Sequence, residues 1–222
     1  AAVTEKDKIK KENKDFITHH LLDAHSFDIM VTKEGKHIGF PLPVIFYDSA
    51  NGLHTMMSSA FHHGEKVVES KGGHYKLFHE KIYKTDASGT INLDENQHAT
   101  NEKVLDFSIT KTVLMVVVTA LLMIFIFGGI AKSYKNSLVP TGAGKILEPV
   151  ILFIRDDIAK PNIGPKYKKY MSYLLTIFFF ILFLNVFGLL PFGINVTGNI
   201  AITAALTIFT FLITQFTANK NY

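Results

Sequence analysis

Apolar residues are unevenly spread along this chain of 222 residues. Positions 1–105 mix polar, charged and apolar side chains, whereas 106–218 hold three long apolar runs. A water-soluble fold distributes its apolar positions at periods of two or about 3.6, so this concentration points to lipid. The first run extends from Thr112 to Ile130, centred on Val113-Leu114-Met115-Val116-Val117-Val118-Thr119-Ala120-Leu121-Leu122, with no charge inside it. About 20 helical residues cover about 30 Å, the hydrocarbon thickness. Its valines would favour a strand in water, but a lone strand in lipid leaves its backbone unpaired, so a helix wins. The second run, Tyr170 to Leu190, carries one amide, Asn185. The third, Gly198 to Phe216, carries Asn199, Thr203, Thr207, Thr210, Thr214 and Gln215. Pro191 to Thr197 is too short for anything but a tight hairpin between them.

The expected partition is an extra-membrane region 1–105, a first transmembrane helix in 106–131 and a connecting loop 132–169. A second helix follows in 170–191, a third in 198–217 and a short end at 218–222. The fold class is an all-α integral membrane protein with transmembrane helices, an amphipathic surface helix and a small β-rich N-terminal extra-membrane region.

Within 1–105, residues 4–25 place Phe16, Ile17, His20, Leu21 and Ala24 on one helical face. Residues 26–32 alternate as a strand does, and Lys33-Glu34-Gly35-Lys36 is a turn signal. Phe40 to Tyr47 reads as an extended segment whose prolines keep it out of a central sheet position. Asp48 to Gly52 turns. Tyr75, Leu77, His79, Lys81 and Tyr83 alternate with Lys76, Phe78, Glu80, Ile82 and Lys84 as one run, and Thr85 to Gly89 turns again.

The connecting loop holds an apolar stretch from Ile146 to Ile158 that ends in Arg155-Asp156-Asp157. It is too short to span and predicts a helix lying on the membrane surface. Pro161, Gly164 and Pro165 break it off. The loop carries Lys132, Lys135, Lys145, Arg155, Lys160, Lys166, Lys168 and Lys169 against Glu148, Asp156 and Asp157, while the turn near 191–198 is uncharged. The positive-inside rule then puts 132–169 in the cytoplasm and the N-terminal region outside.

Net charge is +4 and the pI is about 9.1. Nucleic acid is a poor fit, because Arg155 is the sole arginine and arginine is the usual reader of base edges. There is no cysteine, so disulfides and thiolate metal sites are excluded. All ten histidines lie within 19–98. They repeat no ligand spacing, so a solvated region buffering protons is expected and no metal. Gly142-Ala143-Gly144-Lys145 has the wrong spacing for a phosphate loop, and Ile146 stands where Ser or Thr is required. No cofactor is expected. Asn195-Val196-Thr197 is a glycosylation triplet of a kind common by chance.

Leu184-Asn185-Val186-Phe187-Gly188-Leu189-Leu190-Pro191 resembles the Asn-Leu-x-Gly-Leu-Leu-Pro signature of ATP synthase subunit a. Thr197-Gly198-Asn199-Ile200-Ala201-Ile202-Thr203-Ala204-Ala205-Leu206 resembles that family's next helix, and Ile146 to Asp156 its surface helix. His19-His20-Leu21-Leu22-Asp23-Ala24-His25 is similar to its external opening segment, and the histidine-bearing insert to the Bacteroidetes form.

The resemblance implies a non-catalytic stator subunit of the F0 sector, in the bacterial inner membrane with a periplasmic N-terminal region. Its partners would be the c-ring and b subunits, the lipid bilayer and protons. The family moves protons through two offset half-channels separated by an arginine on a helix after the third span. Arg155 does not match that position, so the chain is expected to be cut off before the essential arginine. By resemblance Asn185, Thr203 and Asn199 are the proton-path residues.

On the residues alone Asn185 is helix–helix glue, Thr203 satisfies itself on its own helix and Asn199 is a cap. A fragment of another channel or secondary transporter, or a membrane anchor for the N-terminal region, are the alternatives. A transporter would be expected to carry a charge inside a span, and none is present.

Overall fold

The structure is a computed structural model that describes residues 23–31, 37–95, 98–136, 139, 141–190 and 196–217. The expected helix over 4–25 lies outside the described residues up to residue 22, and its last three residues, Asp23 to His25, are not helical; the turn at 33–36, residues 191–195 and the end at 218–222 also lie outside the described residues. The chain divides into two compact units, residues 1–114 with 190–222, and residues 115–189.

In the first unit, β1 (Ser26–Val31) pairs with β2 (His37–Pro41). Then β3 (Pro43–Asp48), β4 (Gly52–Met57) and β8 (Leu105–Asp106) form an antiparallel sheet in the order β4-β3-β8. A second sheet has the order β5 (Val68–Ser70), β6 (Gly73–Phe78), β7 (Lys81–Thr85). Strand alternation turns Val44 and Phe46 of the first sheet and Tyr75, Leu77 and Ile82 of the second inward. With Phe61 they make one apolar cluster. Phe46 and Phe61 are fully buried, and each such side chain contributes roughly 1.5–3 kcal/mol. The segment 102–109 joins the sheets. Lys84 donates to the Glu102 carbonyl at 2.9 Å, and further on Phe107 donates to Ile45 at 2.8 Å.

Two sequence expectations are corrected here. β3 is the central strand of its sheet, despite Pro43. Pro43 is its first residue, where the missing N–H is not needed, and the Pro43 carbonyl still accepts from Ile109 at 3.0 Å. The run Tyr75 to Lys84 is two strands, not one. His79 and Glu80 both have positive φ, 46° and 56°, and turn β6 into β7.

Gly64 ends the 3₁₀ segment Ser58–Gly64 with φ +92°, and a Cβ there would lie 2.6 Å from the Leu77 carbonyl oxygen. Neither the conformation nor the space admits a side chain. Gly64→Ala is expected to destabilise the β region by about 2 kcal/mol, read as a lower urea midpoint for loss of tyrosine environment. An unchanged midpoint would show that the segment can move away from β6.

The membrane part begins with α1 (Lys111–Asn136). Next come α2 (Ala143–Phe153), a widened π-helical turn Ile154–Ala159, α3 (Lys160–Ile163), a 3₁₀ turn Gly164–Lys166 and α4 (Tyr167–Gly188). Finally comes α5 (Ile200–Thr217). Lys111–Lys135, the stretch Ala143–Gly188 and Ile200–Thr217 are each long and apolar enough to cross a membrane. α2 is more one-sided than α1, α4 or α5, as a surface helix must be. Gly164, with φ +69°, supplies the break in direction between α3 and α4. In the second unit the fully buried Phe179 of α4 packs edge-on against Phe127 of α1, 4.9 Å between centroids. Tyr134 closes the loop end by donating to Glu148 Oε1 at 2.7 Å.

Candidate functional site

The three residues singled out from the sequence fall on two helices. Asn185 lies in the last turn of α4, exposed on the helix surface, with its carbonyl accepting from Leu189 N–H at 3.2 Å. Asn199 immediately precedes α5, and its Oδ1 accepts the Ala201 N–H at 3.0 Å while its carbonyl accepts from Thr203 at 3.3 Å. That is N-cap geometry. Thr203 sits one turn on and donates its hydroxyl to the Ile200 carbonyl at 3.1 Å. Asn199 and Thr203 are thus neighbours, and Asn185 belongs to the other unit.

The structure adds a feature of α5. Thr203, Thr207, Thr210, Thr214 and Thr217 fall within roughly 80° around the helix axis at 3.6 residues per turn. Thr207, Thr210 and Thr214 each donate to a carbonyl one turn back at 2.8 Å. Those bonds let hydroxyls sit in an apolar helix without unmet donors. The spacing was present in the sequence, and a wheel projection of 200–217 would have found the stripe.

A second polar cluster lies in the β region. His25 is 2% exposed and bridges two carboxylates. Its Nε2 is 2.8 Å from Asp106 Oδ2, its Nδ1 is 3.4 Å from Glu80 Oε2, and its backbone N–H donates to the same Glu80 oxygen at 3.1 Å. Burial opposes the ring's charge. The bonds to Asp106 and Glu80 and their negative charges outweigh it, and hold the His25 pKa at about 9. Two residues earlier, Asp23 reaches the head of α1. Its Oδ1 accepts the Thr112 N–H at 3.0 Å and its Oδ2 the Thr110 hydroxyl at 2.8 Å. A carboxylate at a helix N-terminus is favoured by the free N–H groups and the helix dipole. A cavity of about 260 Å³ opens beside His25, lined among others by Phe40, Ser58, His62 and His63.

The expectation of a solvated histidine-bearing region is therefore corrected at His25. His54 is also buried, stacked on Phe46 at 4.7 Å and bonded through Nδ1 to Ser70 Oγ at 2.9 Å. Burial, together with the positive charge of Lys71, pushes its pKa down against the pull of Asp48, so the ring is held neutral.

A packed β region leading into helices of spanning length defines a multi-span integral membrane protein with an extra-membrane domain. The family described as ATP synthase A chain matches residues 113–222, and a family described as Domain of unknown function (DUF8433) matches 16–107. ATP synthase subunit a 2 of Chlorobaculum tepidum is 47% identical over 118 residues, 52% of this chain and 34% of that protein. ATP synthase subunit a of Chlorobium phaeobacteroides is 46% identical over 119 residues, 52% of this chain and 35% of its own length. That of Pelodictyon phaeoclathratiforme is 38% identical over 165 residues, 73% of this chain and 47% of its own. The chain thus spans about a third to a half of the length of these relatives. No solved structure matches. From residue 113 onward the chain belongs to the ATP synthase A chain family.

Proposed function

We propose that the chain is part of the stator subunit a of the F0 sector of a rotary ATP synthase. It would form, with a ring of c subunits, the path by which protons drive ATP synthesis. The observation that carries this is the family match across the membrane half, 113–222, which includes all three candidate residues. The subunit performs no bond chemistry of its own. Its b subunits and c-ring meet it within the inner membrane of a bacterium. Lysines flanking α2 and α3 support a cytoplasmic loop and a periplasmic β region.

On this reading Asn185, at the end of α4, places an amide in otherwise apolar surroundings, where it orients water for proton hopping. Asn199 fixes the start of α5, and Thr203 sets the first hydroxyl of the threonine stripe beside it. Asn185→Leu in the complete protein, within the assembled synthase, is expected to slow proton-driven ATP synthesis severalfold. Assembly should persist, because the substitution removes an exposed amide from a helix that keeps its packing through Phe179. Unchanged flux would remove Asn185 from the path.

A further inference from the structure

The sheet β4-β3-β8 has a second face, turned away from the core. Strand register lays it out as three rows. Leu53, Tyr47 and Leu105 form one, Thr55, Ile45 and Phe107 the next, and Met57, Pro43 and Ile109 the last. Eight of these nine side chains are apolar and none is charged. Leu53 is 52% exposed, Leu105 62% and Phe107 64%. The opposite face of the same strands carries the buried Val44, Phe46, Asp48 and His54. The polarity of a half-buried sheet is therefore inverted, since its outer face should be the polar one. A contiguous apolar patch of this kind marks a surface that is not left in water.

We propose that this face lies on the bilayer surface at the end of α1 that carries Lys111. Three observations favour lipid over a protein partner. The patch runs into the spanning helix without a linker, Ile109 being two residues before Lys111. A chain extends at most about 3.6 Å per residue, which keeps Ile109 within about 7 Å and Phe107 within about 14 Å of the start of α1. The β region is also tied to the head of α1 by the Asp23 cap and by Lys111 N–H donating to the Ala24 carbonyl at 2.9 Å. The composition fits as well: Tyr47 and Phe107 are interfacial aromatics, and Lys71, whose Nζ donates to the Leu53 carbonyl, stands at the rim as a partner for lipid phosphates. The face then works as a monotopic anchor that fixes the height of the β region above the membrane.

Leu53 and Thr55 decide the matter, because only sheet register, not chain proximity, brings them to the interface. The chain has no cysteine, so Leu53→Cys, Thr55→Cys and Ala87→Cys each create a unique site for a nitroxide label. All three positions are exposed, so the labels leave the core around Phe46 and Tyr75 in place. Spin-label collision is measured on the full chain in phosphatidylcholine–phosphatidylglycerol nanodiscs, and again in the assembled synthase. Labels at 53 and 55 should show an oxygen-to-nickel-chelate accessibility ratio severalfold above that at 87, which lies in the turn after β7. Ratios equal to that at 87 would place the face in water. Exclusion of both reagents at 53 and 55 would show that a protein covers it. Either result overturns the proposal.

Discussion

His25→Leu is expected to destabilise the β region by about 4 kcal/mol, the size of effect seen when one partner of a buried ion pair is removed. His25 is 2% exposed, and the side chains it bridges, Glu80 and Asp106, are 9% and 30% exposed. Leucine fills the space but leaves two carboxylates facing an apolar group. The backbone bond from residue 25 to Glu80 survives, which keeps the loss below that of a fully opened site. Because Asp23 lies two residues away, the damage should reach α1. The Thr112 amide, capped by Asp23 at 3.0 Å, is expected to lose hydrogen-exchange protection in the variant.

The same cluster predicts a pH dependence of definite sign. The His25 pKa is about 9 in the folded chain against an ordinary value of 6.5. That gap favours the folded state by roughly 3 kcal/mol whenever the ring is charged in both states. The stabilisation is complete below pH 6.5 and fades as pH rises through 9. Asp106 contributes at the other end. Burial raises its pKa, but the bonds from His25 and Ser108 bring it below the usual carboxylate value. Its share is present above the ordinary carboxylate pKa and fades as pH falls through the lowered one. Urea midpoints of the full chain should therefore decline between pH 7 and 10, and His25→Leu should flatten that decline. An alkaline limb unchanged in the variant would mean that another group sets it.

The membrane half was legible because lipid imposes one rule. Uninterrupted apolar runs near Thr112, Tyr170 and Ile200 had to become helices, whatever their valines preferred. The β region was legible only in part. Alternation marked β3 and β6, yet it ran straight through His79-Glu80, where neither residue belongs to the Asn-Gly pair that such a turn favours. The turn also shifts which positions face inward, from Tyr75 and Leu77 to Ile82, and this shift was the one available cue.

Nothing local could have placed His25. Its partners stand 55 and 81 residues away, and only the sheet topology brings them to it. The cap of α1 by Asp23 is hidden in the same way, across 89 residues. The candidate residues of the membrane half were visible as polar letters in apolar words. Two of them, Asn199 and Thr203, meet their own backbone needs as their local chemistry predicts.

Asp48→Ala should rival the loss of His25, at about 4 kcal/mol, because it strips a buried network of its acceptor. Asp48 is 2% exposed. It accepts from the Tyr75 hydroxyl at 2.8 Å, Asn51 Nδ2 at 2.9 Å, the Ala50 N–H at 3.2 Å and Lys84 Nζ at 3.0 Å. Burial pushes its pKa up, but the Tyr75 and Ala50 bonds and the Lys84 charge outweigh this and bring it to about 2. Its stabilisation, roughly 2 kcal/mol from that gap, is present above pH 3.8 and lost as pH falls through 2.

Asp48→Asn keeps an oxygen for Tyr75 but gives up the charge facing Lys84, so it should cost about half as much as alanine. Tyr75→Phe should cost least, about 1 kcal/mol, since the carboxylate keeps its other donors. That order, alanine above asparagine above the tyrosine change, separates a charge-centred network from simple packing. Packing alone would make Tyr75→Phe and Asp48→Asn equally mild. If hydrogen exchange at the β3 and β6 amides showed those two variants alike, the carboxylate would be a passenger in a core held by Phe46, Phe61 and Leu77.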